Sequence, residues 1–237
     1  MSDKINPFSK YISQIRLPEI GEEGQSRLAG SKVLIVGCGA LGSIAAAYLA
    51  GAGIGTLGIA DFDTVESSNL HRQILYAEND CGRKKAELLS SHLKSLNPDT
   101  DVRIYDEFVR EPLLESILNE YDFVIDAADN PATTYLIDRL CVEASVPYVT
   151  AGVSGWQGQI FTWRKGAPSF SSIFPPPESA DGILPCSIAG IFGPVAGIVA
   201  SIQASEAVKS LLGLDKTLSR SLLTIDLLNN NFSDYMI

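Results

Sequence analysis

Residues Val33 to Gly42 read V-L-I-V-G-C-G-A-L-G, four apolar residues that run into a G-x-G-x-x-G turn. The apolar run suits a buried strand, and the residues after Gly42 suit a helix packed on a sheet. In such a strand-turn-helix unit each glycine has its own reason. Gly37 permits the tight turn, Gly39 lets a phosphate approach the backbone, and Gly42 lets helix and strand pack closely. Unpaired N–H groups at the helix start then face an anion. Glycine turns between strand and helix have many causes, so the neighbours matter. D-F-D at Asp61 to Asp63 closes the next apolar run, and S-N-L-H-R-Q occupies Ser68 to Gln73.

Working outward, strand-like runs fall at Lys32 to Gly37, Thr56 to Asp61, Val102 to Tyr105, Phe123 to Asp126 and Pro147 to Thr150. Helical periodicity fills the gaps at Leu41 to Ala52, Arg83 to Leu96, Pro112 to Glu120 and Pro131 to Ala144. Asn130 can cap the last of these, with Pro131 in its first turn. The alternation predicts an α/β fold: a Rossmann-like, mainly parallel sheet with flanking helices, whose ligands gather at the strands' carboxyl ends. Ahead of it, Lys10 to Leu28 mixes polar and apolar residues around Pro18 and Gly21, an extended or helical arm able to contact a partner subunit. After Ala151 the pattern changes. Gln159 to Trp163 reads as a strand, Gly166 to Pro185 as a loop rich in Pro and Ser, Ile188 to Leu212 as a buried helix and Leu222 to Ile225 as a short strand. A loop of that length points to function or mobility. The expectation is one domain over residues 1–237, with an N-terminal arm at 1–30 and a crossover-like loop at 166–187.

The 237 residues are 46% hydrophobic and 19% charged, an ordinary globular mixture, with a net charge of -10. That charge argues against nucleic acid as a partner, because phosphate backbones are met by clustered Lys and Arg. Cysteines at 38, 81, 141 and 186 are too scattered for a disulfide framework, and no C-x-x-C pair exists to build a four-cysteine zinc site. The uncharged runs Val33 to Ala60 and Gly182 to Ser205 are long enough to be tested as membrane spans. Seven glycines punctuate the first, and Pro185 and Pro194 interrupt the second, so both read as buried core. With no leader-like opening segment, the expected location is the cytoplasm and no membrane partner is expected.

Asp61 ends the second strand, where a carboxylate accepts hydrogen bonds from ribose hydroxyls, and Asp63 is a second candidate. Arg72, on the loop that follows, and Lys85, opening the next helix, bring a planar fork and a point charge that together suit a triphosphate. Arg83 and Lys84 read as surface cations. D-A-A-D-N at Asp126 to Asn130 places Asp129 near the mouth of the glycine turn. Magnesium takes one or two carboxylates plus substrate phosphates, so Asp129 qualifies as a metal ligand; Asp129 and Asn130 read equally as helix caps. Cys186 stands between the loop and the buried helix, where a helix N-terminus favours a thiolate nucleophile. Cys38, Cys81 and Cys141 read as packing residues, and His71 and His92 show no metal spacing.

With Q-I-R-L-P-E-I-G-E-E-G-Q at Gln14 to Gln25 and G-R-K-K-A-E at Gly82 to Glu87, the chain closely resembles the ThiF/MoeB/HesA family. This is the bacterial branch of the ubiquitin-activating enzyme superfamily. The resemblance implies an adenylyltransferase that uses ATP and Mg2+ to adenylate the C-terminal glycine carboxylate of a ubiquitin-like sulfur carrier, ThiS- or MoaD-like. Pyrophosphate leaves, and a sulfur donor can then displace AMP, in thiamine or molybdopterin synthesis. A homodimer is implied as well. By resemblance the nucleotide site comprises Gly37, Gly39, Ala40, Gly42, Asp61, Asn69, Arg72, Lys85, Asp129 and Asn130. Asp61 meets the ribose, Asn69, Arg72 and Lys85 the phosphates, and Asp129 the magnesium. Cys186 looks like the cysteine that in some members bonds covalently to the activated carrier, joining Arg72, Lys85 and Asp129 as a catalytic residue.

The chain departs from the family at three points. Ala40 stands where a second adjacent glycine is usual. Ser13 precedes Gln14 where the family has an arginine that reaches the partner's ATP across the dimer. Arginine fingers contribute about 10³ to 10⁵ in rate, so activity needs a substitute, for which Arg16 is the candidate. S-F-S-S at Ser169 to Ser172 takes the place of the first family C-x-x-C and no second one follows, so no zinc is expected. Alternative readings are adenylation of a small-molecule or peptide carboxylate and a non-catalytic partner subunit. An NAD-dependent oxidoreductase would rest on the glycine turn alone.

Overall fold

The computed structural model describes residues 9–176 and 190–237. The apolar run of the opening motif forms β1 (Lys32–Val36), which pairs in parallel with β2 (Thr56–Ala60) on one side and β4 (Phe123–Asp126) on the other. β3 (Asp101–Tyr105) joins β2, and β5 (Tyr148–Ser154) joins β4, both in parallel. Beyond β5 the direction alternates. β6 (Gln157–Trp163), β7 (Ser221–Asp226) and β8 (Asn231–Met236) add antiparallel, giving one sheet of order β3-β2-β1-β4-β5-β6-β7-β8.

Successive side chains point to opposite faces, and each face finds helices. Val33, Ile35, Leu57, Ile59 and Phe123 pack with α3 (Gly42–Ala52), α4 (Lys85–Leu96) and α8 (Gly193–Leu212). Leu34, Val36, Val124 and Tyr148 pack with α5 (Glu111–Ile117) and α6 (Pro131–Ala144). Covering both faces is what makes the parallel strands continuous apolar runs. Full burial of each such Val, Leu or Ile contributes about 1.5–3 kcal/mol. α8 is long and apolar enough to cross a membrane, yet Val195, Val199, Ala200 and Ala207 are fully buried where it packs on α3 and the sheet. Its burial is that of a core helix.

Several boundaries differ from the sequence-based expectation, each for a local reason. The arm forms two helices, α1 (Ile12–Ile15) and α2 (Gly21–Gly30), and docks through Tyr11, whose hydroxyl accepts from the buried Asn97 amide. α4 begins at Lys85 rather than Arg83, because Lys84 is extended and bridges Thr64. β5 continues to Ser154 through its pairing with β6. α8 begins at Gly193 rather than Ile188, since Ile191 bridges Gly155 and Pro194 sets the first helical turn. β8 was not expected at all: N-F-S-D-Y-M is a largely exposed edge strand with no buried face to impose a pattern. Within the expected loop, Phe170–Ile173 forms the short helix α7.

Candidate active site

The chain leaves β1 toward β2 on one side and returns in β4 on the other, so the sheet has a switch point between β1 and β4. Such points open a crevice at the strands' carboxyl ends. Here the crevice is a cleft of about 960 Å³. Gly37 adopts φ +96°, where a Cβ would lie 2.6 Å from the Ala127 carbonyl oxygen. Gly39 and Ala40 line the cleft. Gly42 does not: a Cβ there would stand 1.8 Å from the Gly37 carbonyl oxygen, so its place is in the packing of turn against helix.

Asp61, one residue past β2, is buried and bound on both oxygens. Cys38 N–H donates to one at 2.6 Å and Asp63 N–H to the other at 2.7 Å. Burial pushes its pKa up, and the two N–H donors pull it back. Tyr76 donates to the Cys38 carbonyl at 2.8 Å, so the turn is held from two directions. Burial also drives the Cys38 thiol well above its ordinary range, which makes it an inert packing residue.

Lys85 heads α4 at only 5% exposure, its Nζ 3.0 Å from the Asp63 carboxylate. A buried ammonium needs such a partner. Asp63, read from sequence as a second ribose candidate, therefore orients Lys85. Arg72 is half-buried, and its guanidinium donates to the Ser68 carbonyl at 3.2 Å and to His71 Nε2 at 2.9 Å. α8 braces this loop, for a Cβ on Gly193 would meet the His71 carbonyl oxygen at 2.7 Å. Arg83 and Lys84 pair at the surface with Asp80 and Asp106.

At the end of β4, the buried Asp126 accepts from Ala128 N–H at 3.1 Å and from the Thr150 hydroxyl at 2.7 Å. Gln203 of α8 donates to the Asp126 carbonyl at 2.8 Å. The loop so fixed presents Asp129, exposed on the cleft, with no hydrogen-bond or ion-pair partner among the described residues. Asn130 also lines the cleft, but its side-chain oxygen accepts from Thr133 N–H at 2.9 Å and caps α6. Asn69 departs from the expectation: it is buried in a tight turn, donates to Ser68 Oγ at 3.2 Å and does not line the cleft. Cys186 lies outside the described residues. Ser13 and Arg16 are exposed on the arm and do not reach the cleft of their own chain.

Sequence reasoning missed three further features. Phe62 and Phe108, edge to face at 5.1 Å between centroids, form with Val109 an apolar wall at the β2 and β3 ends. The aromatic inside D-F-D was the available signal for Phe62; nothing marked Phe108. Gln73 lines the cleft beside Gly39. Segment 169–172 is ordered by a carboxylate, since buried Asp138 accepts from the N–H groups of Phe170 and Ser171 and from the Tyr148 hydroxyl.

Comparison with known proteins places this geometry. Residues 11–237 match the model of the ThiF family. The chain is 43% identical over 210 residues to the adenylyltransferase and sulfurtransferase MOCS3 of Dictyostelium discoideum, covering 88% of this chain and 49% of that protein. It is 38% identical over 232 residues to a probable molybdopterin-synthase adenylyltransferase of Gracilaria tenuistipitata var. liui, covering 97% of this chain and 65% of that one. It thus spans about half to two thirds of the length of these curated relatives. In fold it is similar to E. coli MccB crystallised with MccA-N7isoASN, at a TM-score of 0.83 and 23% identity over 96% of this chain and 72% of the other. From the glycine turn to the last strand, the chain belongs to the ThiF family.

Proposed function

We propose that this chain is an adenylyltransferase that uses Mg-ATP to activate the C-terminal glycine carboxylate of a ubiquitin-like sulfur carrier. The observation that carries this reading is the convergence of Asp61, Arg72, Lys85 and Asp129 around one glycine turn in a chain of net charge -10. Relatives named as adenylyltransferases support the reaction class. In the reaction a carboxylate oxygen of the carrier attacks the α-phosphorus. The new P–O bond forms the acyl adenylate while the bond to the bridging oxygen breaks, and its electron pair leaves with pyrophosphate.

Two anions must meet in that step, and the cleft supplies fixed counter-charge. Lys85, aimed by Asp63, offsets the repulsion near the attacked phosphate, and the Arg72 fork meets the outer oxygens. Asp61 retains lone pairs for ribose hydroxyls, and Phe62, Phe108 and Val109 offer the base an apolar wall. Asp129 fits a magnesium ligand: it is a single carboxylate with no protein partner among the described residues, and magnesium needs few carboxylates beside phosphate oxygens. When bound, the ion would neutralise phosphate charge. Arg16 is exposed and does not line its own cleft, which leaves it available to a second copy, and we take the working unit to be a homodimer, located in the cytoplasm. Cys186 and a sulfur donor then belong to the step after adenylation, and we assign the carrier to molybdopterin or thiamine synthesis.

The test is exchange of labelled pyrophosphate into ATP, stimulated by a carrier ending in Gly-Gly. Asp129→Ala should lower exchange by about 10² to 10³, the scale of losing one fixed transition-state contact. Cys186→Ala should leave exchange intact and lower only carrier transfer. Absence of exchange with every Gly-Gly carrier tried would overturn the assignment.

A further inference from the structure

Gln73 ends the S-N-L-H-R-Q segment, and none of the roles above uses it. Its side chain is 5% exposed and lines the cleft, and its Nε2 stands 3.5 Å from where a Cβ on Gly39 would lie. Its Oε1 is buried without a hydrogen-bond partner among the described residues. Asp61 and Tyr76, which also reach this turn, each bond its backbone. Gln73 faces the turn from Nε2 and bonds none of the described residues, so its amide N–H is left to donate to something that enters the cleft. The position says what enters. Gly39 is the point where bare backbone lets a phosphate approach, and a phosphate oxygen accepts from an amide N–H.

We infer that Gln73 is a further contact of the nucleotide, its amide N–H donating to the phosphate chain beside Gly39. This rests on the Mg-ATP reading above and adds a neutral donor to the two cations. An uncharged amide supplies direction without a third positive charge. A carboxylate at this position would face the same phosphates with the wrong sign.

Calorimetric titration of the full chain with Mg-ATP and, separately, with adenosine tests this in the wild type, Gln73→Met and Gln73→Glu. Gln73→Met keeps the shape without the donor, and is expected to bind Mg-ATP about tenfold more weakly, about 1.4 kcal/mol, with adenosine affinity unchanged. Gln73→Glu should bind Mg-ATP more weakly still. The ligand-free thermal midpoint of Gln73→Met should equal or exceed that of the wild type, because no protein hydrogen bond is removed. Unchanged Mg-ATP affinity, an equal loss for adenosine, or a lowered ligand-free midpoint in Gln73→Met would overturn the inference. Those results presuppose a wild type that binds Mg-ATP; if it does not, the underlying functional reading fails and this inference with it.

Discussion

Asp61 and Asp126 are buried at the ends of β2 and β4, the parallel strands on either side of β1, and each binds the N–H two residues on, Asp63 in one case and Ala128 in the other. The side chain thereby replaces a ladder partner just where the sheet stops. Burial is the main cause that raises both pKa values, opposed at Asp126 by the Thr150 and Thr134 hydroxyls and the Ala128 N–H. The sign follows from linkage. A carboxyl whose folded pKa lies above its unfolded value favours the fold at low pH, and that contribution is lost as pH rises through the folded pKa. Asn at 126 keeps an acceptor for Ala128 and can donate to the Thr150 oxygen, with no charge to bury. Relative to wild type, Asp126→Asn should therefore gain stability as the pH rises above about 4, the ordinary carboxyl value. Chemical denaturation at a series of pH values measures it, and parallel profiles would show that Asp126 does not titrate in this way. At this scale the gathering of Asp61, Lys85 and Asp129 at one cleft was readable, because there chemistry and motif coincide. It was silent where the role depends on what a loop touches: Asp63 serves Lys85, Asn69 turns inward, and Gln73 meets Gly39.

Elements show the same division. β1, β2 and β4 were legible because two covered faces force unbroken apolar runs, and α6 because Asn130 and Pro131 announce its start. β8 was not legible, because an exposed edge strand carries no such demand. α7 illustrates an element whose order comes from far along the chain. The Asp138 carboxylate accepts from Phe170 and Ser171 N–H at 3.1 and 3.0 Å while also binding the Tyr148 hydroxyl. Asp138 is 1% exposed, so its loss strands three donors in a dry site. Leaving one buried group unsatisfied costs about 1–3 kcal/mol. Asp138→Ala should destabilise the fold by about 3 kcal/mol and speed amide exchange most at 170–173. Loss of stability with exchange at α7 unchanged would show that the carboxylate anchors β5 alone.

Taken whole, the molecule joins a parallel half, whose strand ends carry the glycine turn and the charged groups, to an antiparallel half. Gly152 and Val153 at the end of β5 and Gln159 and Ile160 of β6, where the two halves meet, line the same cleft. The parallel half was legible as a unit; the antiparallel extension was visible only as separate short runs, because pairing between distant segments leaves little local trace. The joint predicts how a bound nucleotide redistributes stability. Mg-ATP at about 100 times its Kd adds about 2.7 kcal/mol to the global unfolding free energy. Amides of β1 and β4, buried on both faces, should exchange through global opening and slow by about that amount. The turn at 37–41 and the loop at 126–130 should slow as well, through direct occupancy of the cleft. β8 should not. It is an exposed edge strand bonded only to β7, opens locally without unfolding the rest, and gains nothing from a ligand that contacts other elements. Hydrogen exchange with and without Mg-ATP reads all three classes in one experiment. Protection of β8 equal to that of β1 would mean that the two halves open as one unit, and unchanged exchange at 37–41 would remove the nucleotide from the glycine turn.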